Sequence, residues 1–239
     1  MKIALAAARF INGNVAFNLS QMEGYMRKAR TQGAELVCFG ESFLQGFDGL
    51  TWNYEQDKDI ACTLDSPELT DMKRWSAEIG IDVLFGFIER KAETLFSTCV
   101  LVSCGEILHK YRRISPGWKE QEADSHYWEG NSSEPFLYKG RTCAIALCGD
   151  LWVYPERFRG TADVLFWPIF VNFSVEEWQK TELSDYAEHA GTISPHVLLI
   201  NSVTGGEAPA FGGCAHFRNG TVSASLPMGE EGILITEIP

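Results

Sequence analysis

The sequence lacks the residue spacings by which many proteins hold metal ions. Its seven cysteines include no Cys-x-x-Cys pair, and its five histidines show neither a His-x-His nor a His-Glu-x-x-His spacing. The number of cysteines is odd and most of them lie inside apolar segments, a usage typical of a reducing compartment rather than of a disulfide framework. We therefore expect neither a metal site nor disulfide bonds.

Long apolar runs and excess positive charge are also missing. No stretch approaches the roughly 20 apolar residues that a membrane span requires, and the apolar run at the start, residues 1–9, is too short for a signal peptide. The 32 acidic and 20 basic residues give a formal charge of -12. That charge disfavours nucleic acids and anionic membranes as partners. These features predict a cytoplasmic protein.

No linker, low-complexity tract or internal repeat divides the chain, so we expect one domain over residues 1–239. With 45% hydrophobic residues it can bury a large core. Apolar runs alternate with helical patterns and hairpin signals, which predicts the α/β class. The predicted strands are 2–8, 35–39, 81–88, 95–103, 107–114, 142–147, 162–167, 196–203, 215–218, 221–226 and 232–238, and the predicted helices are 18–31, 67–78 and 175–191, the last two with Ser66 and Ser174 as N-caps.

A cysteine follows one of these buried strands at a sharp turn. The apolar run 142–147 ends at Cys148-Gly149-Asp150, and Pro155 then favours the first turn of a helix. Gly149 allows backbone conformations that other residues resist. A thiol at such a strand-to-helix turn is well placed to act as a nucleophile, although Cys148 could equally be one more small buried residue.

Charged residues follow two other strands. Glu41 comes directly after strand 35–39, at the strand end where open α/β sheets bind ligands; the alternative is a solvated turn carboxylate. Lys110, Arg112 and Arg113 form a cluster of cations in segment 107–114, which in isolation indicates a solvated face. The next stretch, 115–130, interleaves acidic and aromatic residues, a composition common in loops that line binding sites.

Glu41, Lys110 and Cys148 together have the chemistry that acyl transfer needs. A carboxylate can act as a general base to a thiol, and a nearby cation lowers the pKa of the thiol and stabilises an oxyanion. The three residues are far apart in the chain, so only the fold could bring them together. Among the histidines only His109 is a candidate base, and alternation along a strand would turn it away from Lys110.

With these motifs the sequence resembles the nitrilase, or carbon–nitrogen hydrolase, superfamily along essentially its whole length. The family's signatures are a strand followed by Glu, a Lys-Tyr-Arg-Lys-like segment, and a strand ending in Cys-x-Asp followed by an aromatic residue, Pro and Glu. Here they correspond to Val37-Cys-Phe-Gly-Glu41, Lys110-Tyr-Arg-Arg113 and Cys148-Gly-Asp-Leu-Trp-Val-Tyr-Pro-Glu156. All three occur in the family's order, which makes the match specific.

The resemblance implies a four-layer α-β-β-α sandwich, a homodimer or higher homo-oligomer, and a Glu-Lys-Cys site without metal or organic cofactor. Carried onto this chain, Cys148 would attack a small amide, less favourably a nitrile or carbamoyl compound, and Glu41 would relay its proton. Lys110 and the N–H of Gly149 would stabilise the tetrahedral intermediate, and water would release the acid from a thioester.

The sequence departs from the family's pattern in three places. Gly40 stands where Pro usually precedes the first glutamate. The family's second glutamate aligns with Asp124, with Glu122 and Glu120 as rivals for a substrate-positioning role, and the arginine-containing helix signature is not recognisable in 184–191. A protein that keeps the fold but binds or regulates a partner is therefore the alternative to an enzyme.

Overall fold

The computed structural model describes residues 1–206 and 208–239, which form two six-stranded sheets and helices on both outer faces. The first sheet has the order β12-β1-β2-β3-β4-β5 and the second the order β11-β10-β9-β8-β7-β6. The strands are β1 Lys2–Ala7, β2 Leu36–Cys38, β3 Asp82–Lys91, β4 Thr94–Ser103, β5 Glu106–Arg112, β6 Phe136–Tyr138, β7 Arg141–Ile145, β8 Val164–Ile169, β9 His196–Asn201, β10 Cys214–Arg218, β11 Thr221–Leu226 and β12 Gly232–Glu237.

Parallel strands form the centre of each sheet, and antiparallel strands flank them. In the first sheet β1, β2 and β3 are parallel, and in the second β7, β8 and β9 are parallel. The central strands β1, β2 and β8 are almost entirely apolar, with Lys2 at the start of β1 as the exception, because both of their faces are covered. The carboxyl ends of parallel strands lie at one edge of each sheet, and this edge is where ligands bind in open α/β sheets.

The helices complete four layers, α-β-β-α. Helices α1 Val15–Thr31 and α3 Pro67–Ile79 cover the first sheet and share a core with its outward-facing side chains. Short α4 Asp150–Val153 and the helical run from α5 Val175–Glu177 through a π-helical turn, Trp178–Glu182, to α6 Leu183–Gly191 cover the second sheet. Between the sheets, apolar side chains from both form one core. The predicted α/β class and layered sandwich are confirmed.

Most predicted elements are present, with differences that have local causes. Helix α1 begins three residues earlier than predicted, since the Asn14 side chain accepts a hydrogen bond from Phe17 N at 3.1 Å and caps it. Strand β6 is too short to show a period in the sequence. The predicted turn at 89–94 is wrong for 89–91: β3 continues to Lys91 because Glu89 is buried and paired with Lys110 and Arg112.

Among the helices that the structure describes, none combines the length and the apolar character needed to cross a membrane. Two short helical segments lie in the connections near the carboxyl ends of the parallel strands: helix α2, Tyr54–Asp57, and a 3₁₀ turn, Pro155–Arg157. The seven cysteines all lie within the described residues and none is bridged.

Candidate active site

Cys148 lies in a strained turn just beyond the end of β7. Its φ angle is 42°, in the left-handed region that non-glycine residues seldom adopt. Three contacts hold this conformation: Cys148 N donates to Pro168 O at 2.9 Å, Trp167 Nε1 donates to Cys148 O at 2.8 Å, and the thiol donates to Phe170 O at 3.7 Å. Strain held by the surrounding structure is characteristic of functional sites.

The turn is tied to the end of β5 by Asp150. This fully buried carboxylate accepts hydrogen bonds from the Tyr111 hydroxyl at 2.6 Å and from Ile114 N at 3.1 Å. It also accepts bonds from Ser115 N at 2.8 Å and Leu147 N at 2.9 Å. Because the four donors come from both segments, Asp150 sets the position of Cys148 relative to the residues that follow β5.

Glu41 lies at the carboxyl end of β2 and is fully buried. Two glycines let its turn approach neighbouring strands. A Cβ on Gly86 of β3 would lie 2.5 Å from Ser42 N, and a Cβ on Gly40 would lie 2.4 Å from the Ser202 Oγ that follows β9. The first sheet and the second sheet therefore come into close contact at this edge. Gly40 is required by this packing, which explains the absence of the family's proline there.

A buried arginine pairs with Glu41. Arg113 is only 3% exposed, and its Nη1 donates to both Glu41 oxygens, at 2.9 and 3.2 Å. Arg113 Nε donates to the Ser115 hydroxyl at 2.9 Å, and the Ser97 hydroxyl donates to Glu41 at 3.0 Å. Burial raises the pKa of Glu41 more than the guanidinium and Ser97 lower it.

Both members of this ion pair affect the pKa of the Cys148 thiol. Burial and the Glu41 charge raise the pKa of Cys148 to about 11 against the opposing effect of the Arg113 charge. The resting thiol is therefore protonated at neutral pH. A carboxylate and a guanidinium near a thiol supply a proton acceptor and a permanent positive charge.

The structure does not bring Lys110 to Cys148, which corrects the sequence-based assignment of the site cation. Lys110 Nζ donates to Glu89 at 3.0 Å, and Arg112 joins the same carboxylate with two bonds of 2.7 Å. Side chains alternate along a strand. Lys110 and Arg112 therefore lie on the helix-covered face of the first sheet, whereas Tyr111 lies on the face that meets the second sheet.

The acidic residues of loop 115–130 are not part of this cluster. Asp124 accepts hydrogen bonds from Tyr54 N at 2.7 Å and from His126, and these bonds outweigh burial and lower its pKa. The side chains of Glu122 and Glu120 are exposed. In the described part of the chain none of the three forms a hydrogen bond or ion pair with Glu41, Arg113 or Cys148. No carboxylate of this loop therefore contacts the cluster directly in the described residues, although Glu120 lines a small cavity beside it together with Gly117 and Trp118.

Gly149 lies under the Arg113 guanidinium. A Cβ on Gly149 would be 2.8 Å from Arg113 Nη2 and 3.4 Å from Ser115 Oγ. The N–H of Gly149 has no backbone acceptor within the described residues. Arg113 Nη2 and the Gly149 N–H are thus two hydrogen-bond donors near the thiol, and neither has an acceptor among the described residues.

A cavity of about 220 Å³ lies beside this cluster and comes near it at Gly117. Its lining includes Phe47, Trp118 and Gly117, and a Cβ on Gly117 would lie 3.3 Å from Arg113 Nη2. Phe47 stacks on Phe170, whose carbonyl accepts from the thiol, with ring centroids 4.5 Å apart. A larger cavity, about 700 Å³, is at the opposite ends of the strands and is lined by other residues. A volume near 220 Å³ suits only a small ligand.

The sequence of this chain is similar to those of known carbon–nitrogen hydrolases. Residues 2–194 match the model of the carbon-nitrogen hydrolase family. A nitrilase of Meyerozyma guilliermondii is 28% identical over 124 residues, which are 48% of this chain and 39% of that enzyme. The matched segments thus span well under half the length of such curated relatives. The chain belongs to the carbon–nitrogen hydrolase family.

Solved structures of the nitrilase superfamily share the fold. An amidase from Nesterenkonia sp. AN1 superimposes with a TM-score of 0.78 at 19% identity, over 100% of this chain and 90% of the amidase chain. The glutamine-dependent NAD+ synthetase of Acinetobacter baumannii has the same TM-score and identity, over 98% of this chain and 44% of its own. The nitrilase-type sandwich expected from the motifs is confirmed.

Sequence reasoning missed Arg113, Asp150 and the serines that support the ion pair. A signal for Arg113 was present, because it occupies the last position of the Lys-Tyr-Arg-Lys-like segment and differs from Lys110 in strand parity. Asp150 was visible as the Asp of Cys-x-Asp. Ser97 and Ser115 carry no sequence signal, since only the tertiary structure brings them to Glu41 and Arg113.

Proposed function

We propose that this protein hydrolyses a non-peptide carbon–nitrogen bond of a small amide through a thioester on Cys148 and releases ammonia. The observation that carries the proposal is the strained turn that holds the thiol beside the buried Glu41–Arg113 ion pair. Membership of the carbon–nitrogen hydrolase family supports the same chemistry. Nitriles and carbamoyl compounds are the less favoured substrates.

In the first half of the reaction Cys148 Sγ attacks the amide carbon while its proton passes to Glu41. A carbon–sulfur bond forms, and the carbonyl π electrons move to oxygen, where the N–H of Gly149 donates to the oxyanion. Glu41 then gives the proton to the leaving nitrogen, the carbon–nitrogen bond breaks, and ammonia departs.

In the second half water replaces the amine. Glu41 takes a proton from the water as it attacks the thioester, and the tetrahedral intermediate collapses with release of the acid and the Cys148 thiol. The raised pKa of Glu41 suits this use, since it makes the carboxylate a stronger proton acceptor. No metal is needed for either half.

Fluoroacetamide offers a direct test. In a glutamate-to-glutamine mutant of the Nesterenkonia amidase, the acetamide moiety of fluoroacetamide has been seen covalently added at the active-site cysteine, so Glu41→Gln is treated alongside the wild type. We expect intact-protein mass spectrometry to show adduct formation at Cys148, and ammonia release from acetamide-like amides to disappear in Cys148→Ala. Cys104→Ala is the matched control because Cys104 is exposed and distant from the ion pair.

The alternative of a binding or regulatory protein has its own supporting observations. Both oxygens of Glu41 are held by Arg113, the thiol pKa is about 11, and loop 115–130 contributes no second carboxylate to the cluster. If Cys148→Ala and the wild type give the same ammonia release over a panel of amides, nitriles and carbamoyl compounds, the hydrolase proposal is wrong and this alternative takes its place. A homodimer or higher homo-oligomer stays a prediction for either function.

A further inference from the structure

Arg113 stands at the position where the family's segment ends in lysine, and the structure surrounds it with features that suit an arginine. A guanidinium offers five N–H donors in a planar fork, whereas an ammonium is a compact point charge. Here one arm of the fork binds Glu41 through Nη1 and Nε binds Ser115. The remaining arm, Nη2, has no hydrogen-bond acceptor in the described part of the chain.

The position of Nη2 is determined by these bonds and by burial. Arg113 is 3% exposed, so the side chain has no solvent into which it could swing. Nη2 lies above Gly149, at 2.8 Å from the position that a Cβ there would occupy, and close to Gly117 on the cavity side. Its two N–H groups therefore border the place where a substrate oxygen would lie next to Cys148.

We propose that Arg113 is the oxyanion-binding cation of this site and that Gly149 is its obligatory companion, because any side chain at 149 would displace the guanidinium. The proposal rests on the proposed hydrolase function for its catalytic consequence, but the pairing of Arg113 with Gly149 is independent of it.

In the reaction the carbonyl oxygen gains the π electron pair when Cys148 Sγ bonds to carbon. Arg113 Nη2 and the Gly149 N–H donate hydrogen bonds to that oxygen, and no proton leaves the guanidinium because arginine stays charged throughout the working pH range. Nη1 meanwhile keeps Glu41 oriented, so one side chain holds the base and binds the oxyanion.

A double-mutant cycle on Arg113 and Gly149 tests the pairing without any substrate. The variants are Gly149→Ala, Arg113→Lys and the two combined, and the readout is the pKa of Cys148 from the pH dependence of iodoacetamide labelling. In the wild-type background Gly149→Ala pushes the guanidinium away and we expect the pKa of Cys148 to rise. In the Arg113→Lys background the shorter side chain leaves room, and we expect Gly149→Ala to change the pKa little.

Turnover of a reactive amide is measured on the same four proteins. We expect Gly149→Ala to reduce kcat about tenfold or more when residue 113 is arginine, and by less than about twofold when it is lysine. Arg113→Gln should lose about 100-fold in kcat, the range found when one oxyanion donor is removed. Lys110→Gln is the matched control, because Lys110 forms an ion pair with Glu89. We expect it to leave the pKa of Cys148 and the kcat unchanged.

The outcomes separate the two proposals. Equal effects of Gly149→Ala in both backgrounds, in labelling and in turnover, would overturn the pairing. Coupling in the labelling pKa of a chain that turns over no amide would support the pairing and contradict the hydrolase function. If Gly149→Ala fails to fold, Gly149→Ala/Arg113→Lys still tests the idea, because relief of the clash predicts that this double variant folds.

Discussion

At the residue scale, the Cys148 thiol is protonated at rest and the Glu41 carboxylate is paired with Arg113. The pKa of Cys148 is raised to about 11 by burial and by Glu41, against the opposing effects of the Arg113 charge and of the hydrogen bond to Phe170 O. A neutral thiol is a weak nucleophile. Its activation therefore has to accompany attack on the substrate, with Glu41 taking the proton in the same step.

We expect the labelling of Cys148 by iodoacetamide to rise about tenfold per pH unit and to level off only near pH 11. The thiolate is the reacting form, so a raised pKa moves the whole curve toward alkaline pH. Peptide mass spectrometry reports the rate, with an unstructured cysteine peptide of ordinary pKa, about 8.5, measured in parallel. A Cys148 curve that levels off with the peptide would contradict the raised pKa.

A second residue-scale prediction concerns Asp150, which accepts four hydrogen bonds while fully buried. Asp150→Asn cannot accept all four, and a bond to a charged group contributes about 1.5–3 kcal/mol. We expect the free energy of unfolding, measured in urea, to fall by about 3 kcal/mol. The control Asp163→Asn, at an exposed carboxylate that accepts one bond from Thr142 N, should change it by about 1 kcal/mol or less.

At the element scale, the strand ends of the two sheets meet through glycines rather than side chains. We expect Gly40→Ala to destabilise the protein by about 2–3 kcal/mol, since its Cβ would lie 2.4 Å from Ser202 Oγ in a closely packed interior. Chemical denaturation measures the change. Removing the obstructing hydroxyl with Ser202→Ala should recover part of the loss.

Gly24 provides the matched control for this prediction. It lies within α1, and a Cβ there would meet nothing within 4 Å among the described residues. Gly24→Ala should therefore stabilise the protein by about 0.5–1 kcal/mol through helix propensity. Equal effects of Gly24→Ala and Gly40→Ala would show that the strand ends are not closely packed.

A chain of polar groups links the sheets at another place. His196 of β9 contacts His216 of β10 at 2.9 Å, and His216 contacts the Thr236 hydroxyl of β12 in the other sheet at 2.7 Å. Burial, with smaller contributions from the neighbouring His196 and Arg218, lowers the pKa of His216 to about 4. The folded protein therefore holds a neutral His216 at pH values where an unfolded chain would protonate it.

This linkage predicts acid sensitivity with a defined sign. Between about pH 6.5 and pH 4 the unfolded state binds one more proton at His216 than the folded state, so the free energy of unfolding falls as the pH falls. Below about pH 4 both states are protonated there, and His216 causes no further change. The shift corresponds to about 3 kcal/mol. Urea titrations at pH 7, 5.5 and 4 should show the wild type losing more stability than His216→Gln, which does not titrate. Parallel losses in both proteins would exclude His216 as the cause.

At the scale of the whole molecule, the two sheets share one apolar core, which suggests that they unfold together. Five cysteines are buried, two of them in different sheets on either side of this core: Cys38 in β2 and Cys214 in β10. A thiol that is shielded in the native state reacts only when its surroundings open.

We expect the buried cysteines to become reactive to iodoacetamide in one cooperative transition with increasing urea, coincident with the loss of far-UV circular dichroism. Cys104 is exposed and reports the rate of labelling in the native state. Exposure of Cys38 and Cys214 at clearly different urea concentrations would mean that the sheets unfold independently and that 1–239 is not a single folding unit.

The sequence by itself determined most of the strands, the three long helical segments, the α/β class and the two residues at strand ends, Glu41 and Cys148. Apolar periodicity and turn residues act locally, and a polar residue directly after a buried strand is visible without any knowledge of the neighbours. The family's motifs then supplied the arrangement of layers, because their order along the chain is preserved.

Only the tertiary structure decided which cation joins the site. Lys110 and Arg113 belong to the same basic segment, and the sequence does not reveal that the strand turns Lys110 toward Glu89 while the chain beyond its end brings Arg113 to Glu41. Contacts between residues 72 positions apart depend on how the sheets pack. The space above Gly149, which admits a guanidinium beside the thiol, is likewise a property of that packing and of no single segment.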